Sequence, residues 1–261
     1  MRIFDIPILM YHSLEQKAVL QRNHRYTLAG EAFEEQLDFL KQHKYRTITF
    51  AELFRLASGT LPVNGREILI TFDDGYESFH TIAAPALLAR GMTATVFIVA
   101  GHIGGVNAWD SDSACSRNRP LRLMDEEAIR EVIASGMEIG VHGWQHRDMT
   151  LCLKKEVAEE VVSSKEYVER LFDIRITVFA YPFGRFARHH FDVLRNAGYL
   201  GAVSIFSDQP YVTSNPYAMR RIYVHAGDRR HRFRFKLSRP YLRYRAFRDP
   251  RDQMRLPEAA H

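Results

Sequence analysis

The sequence predicts an α/β fold in which parallel strands and helices alternate, as they do in a (β/α) barrel. Short β-rich runs alternate with helical patterns along the chain, which is typical of a parallel sheet with crossover helices. The length of 261 residues suits one such barrel, since barrels of this class use about 250 residues. The notable polar residues follow predicted strands, at the edge where barrels build their active sites.

The predicted elements follow from periodicity and from turn residues. Strands are predicted at 8–11, 67–72, 93–99, 137–141 and 177–181, with two further candidates at 199–205 and 219–224. Helices are predicted at 32–43, 50–57, 78–90, 126–135, 154–172 and 187–197. The segment 101–123 is rich in polar residues and glycine. Connections of that length tend to be functional.

Composition excludes several classes of protein. The apolar fraction of 46% and the charged fraction of 26% are ordinary for a globular chain. No apolar run reaches the roughly 18 residues of a membrane span. Asp5 and Pro7 interrupt the first apolar stretch, so we expect no signal peptide and a cytoplasmic location. Cys115 and Cys152 lie far apart, which predicts free thiols.

The net charge of +5 is concentrated near the carboxyl terminus. Residues 219–255 carry 13 Lys and Arg against 3 Asp and Glu, and the rest of the chain carries 23 against 28. We therefore predict three parts: residues 1–65 packing on the barrel, residues 66–228 forming its main body, and a basic, aromatic-rich helical tail at 229–261. The tail either docks on the acidic body or contacts the anionic inner face of the cell membrane. Nucleic acid is disfavoured because no recognised motif accompanies the charge.

Two adjacent carboxylates, Asp73 and Asp74, end the strand at 67–72 and precede Gly75. Burying them is costly unless a cation or hydrogen bonds offset the loss of water. The alternative is an ordinary capping turn, in which Asp-Gly is common. The pair alone does not decide between these interpretations.

Two histidines, His142 and His146, follow the predicted strand at 137–141. One turn of helix would place both imidazoles on one side, at a spacing suited to a single zinc ion. Two imidazoles and one carboxylate leave a coordination position open, as catalytic sites require. The second carboxylate would remain available as a general base.

Together these segments resemble the polysaccharide deacetylases of carbohydrate esterase family 4, the nodulation-protein-B homology domain. The resemblance lies in TFDDG at 71–75, in His142 with His146 and in FAYPFG at 179–184, with support from PILMYH at 7–12. It extends over roughly residues 8–228. It implies a distorted (β/α) barrel and metal-dependent removal of acetyl groups from an N-acetylated sugar.

The resemblance also implies residue roles. Asp73 matches the general base, and Asp74, His142 and His146 match the metal ligands. Phe183 matches the residue whose backbone N–H stabilises the oxyanion. The metal is expected to be Zn²⁺, with Co²⁺ or Mn²⁺ as alternatives.

Two departures from the family pattern concern the base and the acid. Ala180 stands where many relatives carry an arginine that orients the base. His225 is a partial match to the family's general acid, and His12 is a second candidate for that role.

Two aromatic side chains, Trp109 and Tyr181, have two interpretations each. Trp109 stacks on a sugar or anchors its loop, and Tyr181 lines the cleft or packs in the core. His102 is expected to be a hydrogen-bonded structural histidine. The expected substrate is an N-acetylated glycan or a lipid-linked sugar precursor. The alternatives to a deacetylase are a non-catalytic carbohydrate-binding relative and a basic nucleic-acid-binding protein.

Overall fold

Parallel strands form a barrel that almost closes. The computed structural model describes residues 6–16, 26–110, 120–205, 215–238 and 240–241. Within these ranges one sheet has the order β10-β9-β8-β7-β6-β5-β1-β11 with parallel neighbours. Its strands are β1 (Ile8–Tyr11), β5 (Glu67–Phe72), β6 (Thr95–Ile98), β7 (Glu138–Val141), β8 (Val178–Ala180), β9 (Gly201–Ser204), β10 (Met219–Arg220) and β11 (Ile222–Tyr223).

The two edges of the sheet approach each other at a single residue. Strands β10 and β11 stand at the two ends of the strand order, yet only Arg221 separates them in the chain. The chain therefore passes from the β9 side of the sheet to the β1 side at Arg221. The predicted strand at 219–224 is thus two short strands that belong to opposite edges.

Three short strands lie off this path. Strand β4 (Arg46–Thr47) pairs with β5, and β2 (Ser13–Glu15) pairs with β3 (Thr27–Ala29). Strand β1 itself lies between β5 and β11. The predicted boundary after residue 65 therefore passes within the barrel, because an early strand is part of its wall.

Helices cover the outside of the barrel. They are α1 (Gly30–Gln42), α2 (Phe50–Ala57), α3 (Ala84–Leu88), α4 (Glu126–Ala134), α5 (Lys154–Ala158), α6 (Ser164–Phe172), α7 (His190–Asn196) and α8 (Arg230–Lys236). Single π turns at Phe79–Ala83 and Glu159–Ser163 interrupt the two helices predicted at 78–90 and 154–172. Such turns are frequent at functional sites.

The alternating direction of side chains along β5 determines which of them enter the barrel. Ile68, Ile70 and Phe72 belong to the core beneath the helices, whereas Leu69 belongs to the core inside the barrel. Since successive side chains point to opposite faces, Thr71 and Asp73 follow Leu69 towards the interior. The barrel thus places a carboxylate at the carboxyl end of a buried strand.

The amino-terminal part of the basic tail packs on the barrel's helical layer. Helix α8 inserts Phe233, which is fully buried, and its ring contacts Phe39 of α1 edge to face with centroids 5.8 Å apart. The remainder of the predicted tail, residue 239 and residues 242–261, lies outside the described residues. Among the described helices none is long and apolar enough to span a membrane.

Candidate active site

Two buried carboxylates lie side by side at the end of β5. Asp73 and Asp74 are 3% and 5% exposed. The backbone N–H of Asp73 donates to the carbonyl of Tyr11 at 3.0 Å, which extends the β1–β5 pairing by one residue. Asp74 then adopts a left-handed conformation with φ 72°. This change of backbone direction separates the surroundings of the two carboxylates.

The Asp74 carboxylate faces both predicted histidine ligands. Oδ1 of Asp74 lies 3.5 Å from Nε2 of His142 and 3.4 Å from Nε2 of His146. The ligand atoms of the three residues all lie within 4.8 Å of one another. Within the described part of the chain, this buried Oδ1 has no hydrogen-bond partner. A buried carboxylate oxygen without a hydrogen-bond partner, close to two imidazole nitrogens, fits a site for a divalent metal ion.

A carbonyl fixes the tautomer of His142. Its Nδ1 donates to the carbonyl oxygen of Ala180 at 2.8 Å. The proton therefore lies on Nδ1, and the lone pair of Nε2 faces Asp74. Metal-binding histidines are commonly oriented in this way.

A loop, and not a helix, brings the imidazoles of His142 and His146 together. The helical interpretation of residues 142–146 is therefore wrong. No helix is assigned between 142 and 148, and His146 has φ 59°. The side chain of Glu160, from the π turn, holds this loop by accepting bonds from the backbone N–H groups of Trp144 (2.9 Å) and Gln145 (3.0 Å). A Cβ at Gly143 would lie 2.2 Å from Oε2 of Glu160. The loop therefore requires glycine there.

The Asp73 carboxylate is held by an arginine that the sequence analysis missed. Arg221, 1% exposed, donates to both carboxylate oxygens, with Nη1–Oδ1 at 2.5 Å and Nη2–Oδ2 at 2.6 Å. Its guanidinium also lies over the ring of Phe97, 5.5 Å from the centroid. A bidentate pair of this kind fixes the carboxylate in one orientation. The only signal in the sequence is the pair of basic residues, Arg220 and Arg221, within the strand-like run 219–224.

Burial and neighbouring charges set the protonation states. Burial acts to raise the pKa of Asp73, but Arg221 and His142 hold it below its ordinary value. Burial likewise opposes ionisation of Asp74, whose pKa is nevertheless lowered by His146, His12 and His142. Burial lowers the pKa of His142 to about 4, against the attraction of Asp73. Near pH 7 both carboxylates are ionised and His142 is neutral, as metal binding requires.

Two aromatic side chains border His146. The indole of Trp109 stacks on its imidazole with centroids 4.5 Å apart and an interplanar angle of 23°. Phe183 contacts the same imidazole at 4.7 Å and is 48% exposed. Its backbone is left-handed, with φ 58°, in the tight turn Pro182–Gly184. Both residues therefore lie at the mouth of the candidate site.

Tyr181 does not line the cleft. Its side chain is fully buried, and its hydroxyl donates to the carbonyl of Tyr217 at 2.9 Å. The prediction of a substrate contact is wrong because this side chain lies in the core. His102 is hydrogen bonded as expected, with Nε2 2.9 Å from Oε1 of Gln145.

The two candidate acids occupy different positions. Nε2 of His12 lies 4.0 Å from Oδ2 of Asp73, and its ring contacts those of Tyr26 and Tyr223. His225 is exposed, and its ring lies 4.0 Å from the ring of Tyr223. Tyr223 thus contacts both histidines, and His12 is the one that adjoins Asp73.

Sequence comparison identifies relatives of this chain. The family model described as polysaccharide deacetylase matches residues 60–202. YxkH of Bacillus subtilis (strain 168) is 26% identical over 222 residues, covering 85% of this chain and 72% of that protein. The poly-beta-1,6-N-acetyl-D-glucosamine N-deacetylase of Staphylococcus aureus (strain MRSA252) is 24% identical over 209 residues, covering 76% of this chain and 68% of that enzyme.

Solved structures share the fold. The Streptococcus pyogenes deacetylase PplD, in complex with acetate, superposes with a TM-score of 0.75 at 20% identity, covering 89% of this chain and 98% of that one. IcaB from Ammonifex degensii gives a TM-score of 0.70 at 22% identity, covering 92% and 96%. The family model alone accounts for more than half of the sequence, and the fold agrees with it. The chain therefore belongs to the polysaccharide deacetylase family.

Proposed function

We propose that this protein is a metal-dependent hydrolase that removes N-acetyl groups from an N-acetylated amino sugar in a glycan. The observation that carries this proposal is the division of labour between two adjacent carboxylates. Asp74 faces His142 and His146, while Asp73 is held apart by Arg221. A binding protein would need no second buried carboxylate beside the ligand set.

Asp74, His142 and His146 are the proposed ligands of the metal. A divalent ion held by these residues would supply Lewis acidity to the amide carbonyl and to the attacking water. Two nitrogens and one oxygen suit Zn²⁺, with Co²⁺ or Mn²⁺ as alternatives. The buried Oδ1 of Asp74 and the oriented Nε2 of His142 support this assignment.

Asp73 is the proposed general base. It would accept the proton of the attacking water, a role for which its carboxylate must be ionised and oriented. The bidentate contact with Arg221 meets both requirements. Arg221 is thus proposed to act through Asp73, in the role for which relatives use the position occupied here by Ala180. The backbone N–H of Phe183 is proposed to donate to the oxyanion.

His12 is the proposed general acid, in preference to His225. The leaving amine must be protonated from a group close to the reacting carbon. His12 adjoins Asp73, whereas His225 is exposed and contacts Tyr223.

The proposed substrate is a polymer of N-acetylglucosamine or a lipid-linked precursor of one. The name of the Staphylococcus aureus relative specifies the β-1,6-linked polymer. Trp109 and Phe183 at the mouth of the site present aromatic surface to a sugar ring.

The basic carboxyl-terminal segment is proposed to contact an anionic membrane surface. On α8, Arg230, Arg232, Arg234 and Phe235 are all exposed, opposite the buried Phe233. Each basic residue near such a surface contributes about 1 kcal/mol. The cytoplasmic location expected from the sequence remains a prediction.

Acetate release tests the proposed reaction. The zinc-loaded protein is expected to release acetate from β-1,6- or β-1,4-linked N-acetylglucosamine oligomers, and chelation is expected to abolish the release. Asp73→Asn should lower kcat by at least about 100-fold because the base is lost, with metal content unchanged. Asp74→Ala should lose both metal and activity.

The contrary outcomes are specific. Near-normal turnover by Asp73→Asn would refute the assignment of the base. Zinc bound without acetate release, across both linkages, would favour a non-catalytic carbohydrate-binding protein.

A matched pair of variants tests the acid. His12→Gln should lower kcat by about 100-fold or more, because a neutral amide cannot give up a proton to the leaving amine. His225→Gln should retain most of the activity. The reverse result, with His225→Gln inactive and His12→Gln active, would transfer the role to His225.

Zinc affinity tests the function of Glu160 as a loop support. Glu160→Gln should weaken zinc binding by about 10-fold or more, since its side-chain NH₂ cannot accept a hydrogen bond from the loop. Glu159→Gln is the control, because Glu159 pairs with Arg147 at a half-exposed position. Competition titration against a chelating dye measures both. Equal affinities would show that the loop holds its geometry without Glu160.

Vesicle sedimentation tests the membrane contact. The full chain should bind vesicles containing about 30% phosphatidylserine, and binding should fall with added salt because the attraction is electrostatic. The triple substitution R230Q/R232Q/R234Q should reduce it several-fold, whereas R55Q, a single substitution on α2, should not. Equal binding to neutral and anionic vesicles would contradict the proposal.

A further inference from the structure

The loop 142–146, which carries two of the proposed ligands, is called the metal-ligand loop. A cleft of about 520 Å³ lies beside it and is lined by none of the three proposed ligands. One wall is the turn that follows β6, including Gly101 and Gly104. The second is the start of α4, and the third is formed by Trp144 and Tyr167. The proposed reaction does not use this cleft.

The aromatic wall has the composition of a sugar-binding surface. The rings of Trp144 and Tyr167 meet edge to face, with centroids 5.2 Å apart, and both are partly exposed. In the described part of the chain, the indole N–H and the phenol hydroxyl have no hydrogen-bond partner, and both residues line the cleft. Apolar rings with unpaired polar edges suit a ligand that has apolar faces and hydroxyl groups.

The wall at the turn after β6, which is the floor of the cleft, carries glycine at two positions. A Cβ at Gly101 would lie 2.6 Å from the carbonyl oxygen of Trp144 and 3.1 Å from its Nε1. Gly104 has φ 74°, a conformation that favours glycine. Any side chain at 101 would displace Trp144, so the open floor and the aromatic wall depend on each other.

The remaining wall is acidic, and no basic side chain among the described residues lines the cleft opposite it. Asp125, Glu126 and Glu127 line the cleft, and no Lys, Arg or His does so among the described residues. Asp125 caps α4 by accepting from the N–H of Ala128. Glu126 lies 3.8 Å from Arg130, but both side chains are about half exposed, and such pairs contribute little. A neutral sugar would add no positive charge to this exposed acidic wall, whereas a cationic sugar would pair with it.

We propose that this cleft binds a glucosamine residue of the glycan, a sugar that has already lost its acetyl group. This inference rests on the proposed function, because hydrolysis of the amide adds water and yields acetate and a primary amine. Such an amine resembles the α-amino group of a peptide, whose pKa is about 7.7–8.0, and is therefore largely protonated at neutral pH. The ammonium pairs with the carboxylates, and the sugar ring packs on Trp144.

The cleft and the metal-ligand loop form one hydrogen-bonded unit. The N–H of Gly101 donates to Trp144 at 2.9 Å, and that of Ala100 donates to Gly143 at 3.0 Å. Trp144 lies two residues from each histidine ligand. A glycan held in the cleft by a deacetylated sugar would therefore lie against the loop that carries His142 and His146. The enzyme would act preferentially on chains that are already partly deacetylated.

Binding without turnover tests the inference. Glucosamine tetramers in β-1,4 and β-1,6 linkage contain no acetyl group and cannot be hydrolysed, and cellotetraose is their neutral counterpart. Calorimetric titration of the zinc-loaded full chain at low salt is expected to show that at least one glucosamine tetramer binds roughly 3- to 10-fold more tightly than cellotetraose, the range that two exposed charge contacts give. The double substitution E126Q/E127Q should remove this preference.

A matched control is available on another helix. Glu31 and Glu35 are exposed on α1, so E31Q/E35Q removes the same charge from a surface remote in sequence and should leave the preference intact. Tyr167→Ala should weaken both tetramers equally, because it removes stacking and not charge. Equal affinity for the two sugars, or equal losses in both double variants, would overturn the inference. Since no turnover is needed, glucosamine binding without acetate release would fault the proposed reaction alone.

Discussion

The ion pair between Asp73 and Arg221 is the interaction on which the rest of the site depends. Two adjacent carboxylates in a buried position are strongly unfavourable unless each has its own compensation. Asp73 obtains it from a guanidinium with two short bonds. Asp74 faces two imidazoles and has an oxygen left unsatisfied by the described residues. Because Asp73 is paired with a guanidinium and Asp74 faces two imidazoles, the two carboxylates have different surroundings.

The same ion pair connects the chemistry with the closure of the barrel. Arg221 is the single residue between β10 and β11, the strands that end the sheet on either side. Its side chain enters the barrel where Thr71 and Asp73 point inwards and lies over Phe97 of the interior core. The meeting of the two sheet edges thus brings Arg221 to the carboxylate of Asp73.

Glu160 supports both the loop that carries the two histidines and a wall of the neighbouring cleft. Glu160 accepts from the backbone of Trp144 and Gln145, and this contact fixes the segment between the two histidines. The side chain of Trp144 meanwhile forms a wall of the neighbouring cleft. The π turn that presents Glu160 follows from packing, since the sequence at 154–172 has an ordinary helical pattern.

The sequence by itself determined the alternating strands and helices, the paired carboxylates, the two histidines and the family, because these depend on local periodicity and short motifs. It could not decide that His142 and His146 meet through a loop, that Tyr181 is buried, or that Arg221 contacts Asp73. Those properties depend on residues that are distant in the chain and adjacent only after the barrel closes. Asp73 and Arg221 are 148 residues apart, and only the strand order brings their charges into contact.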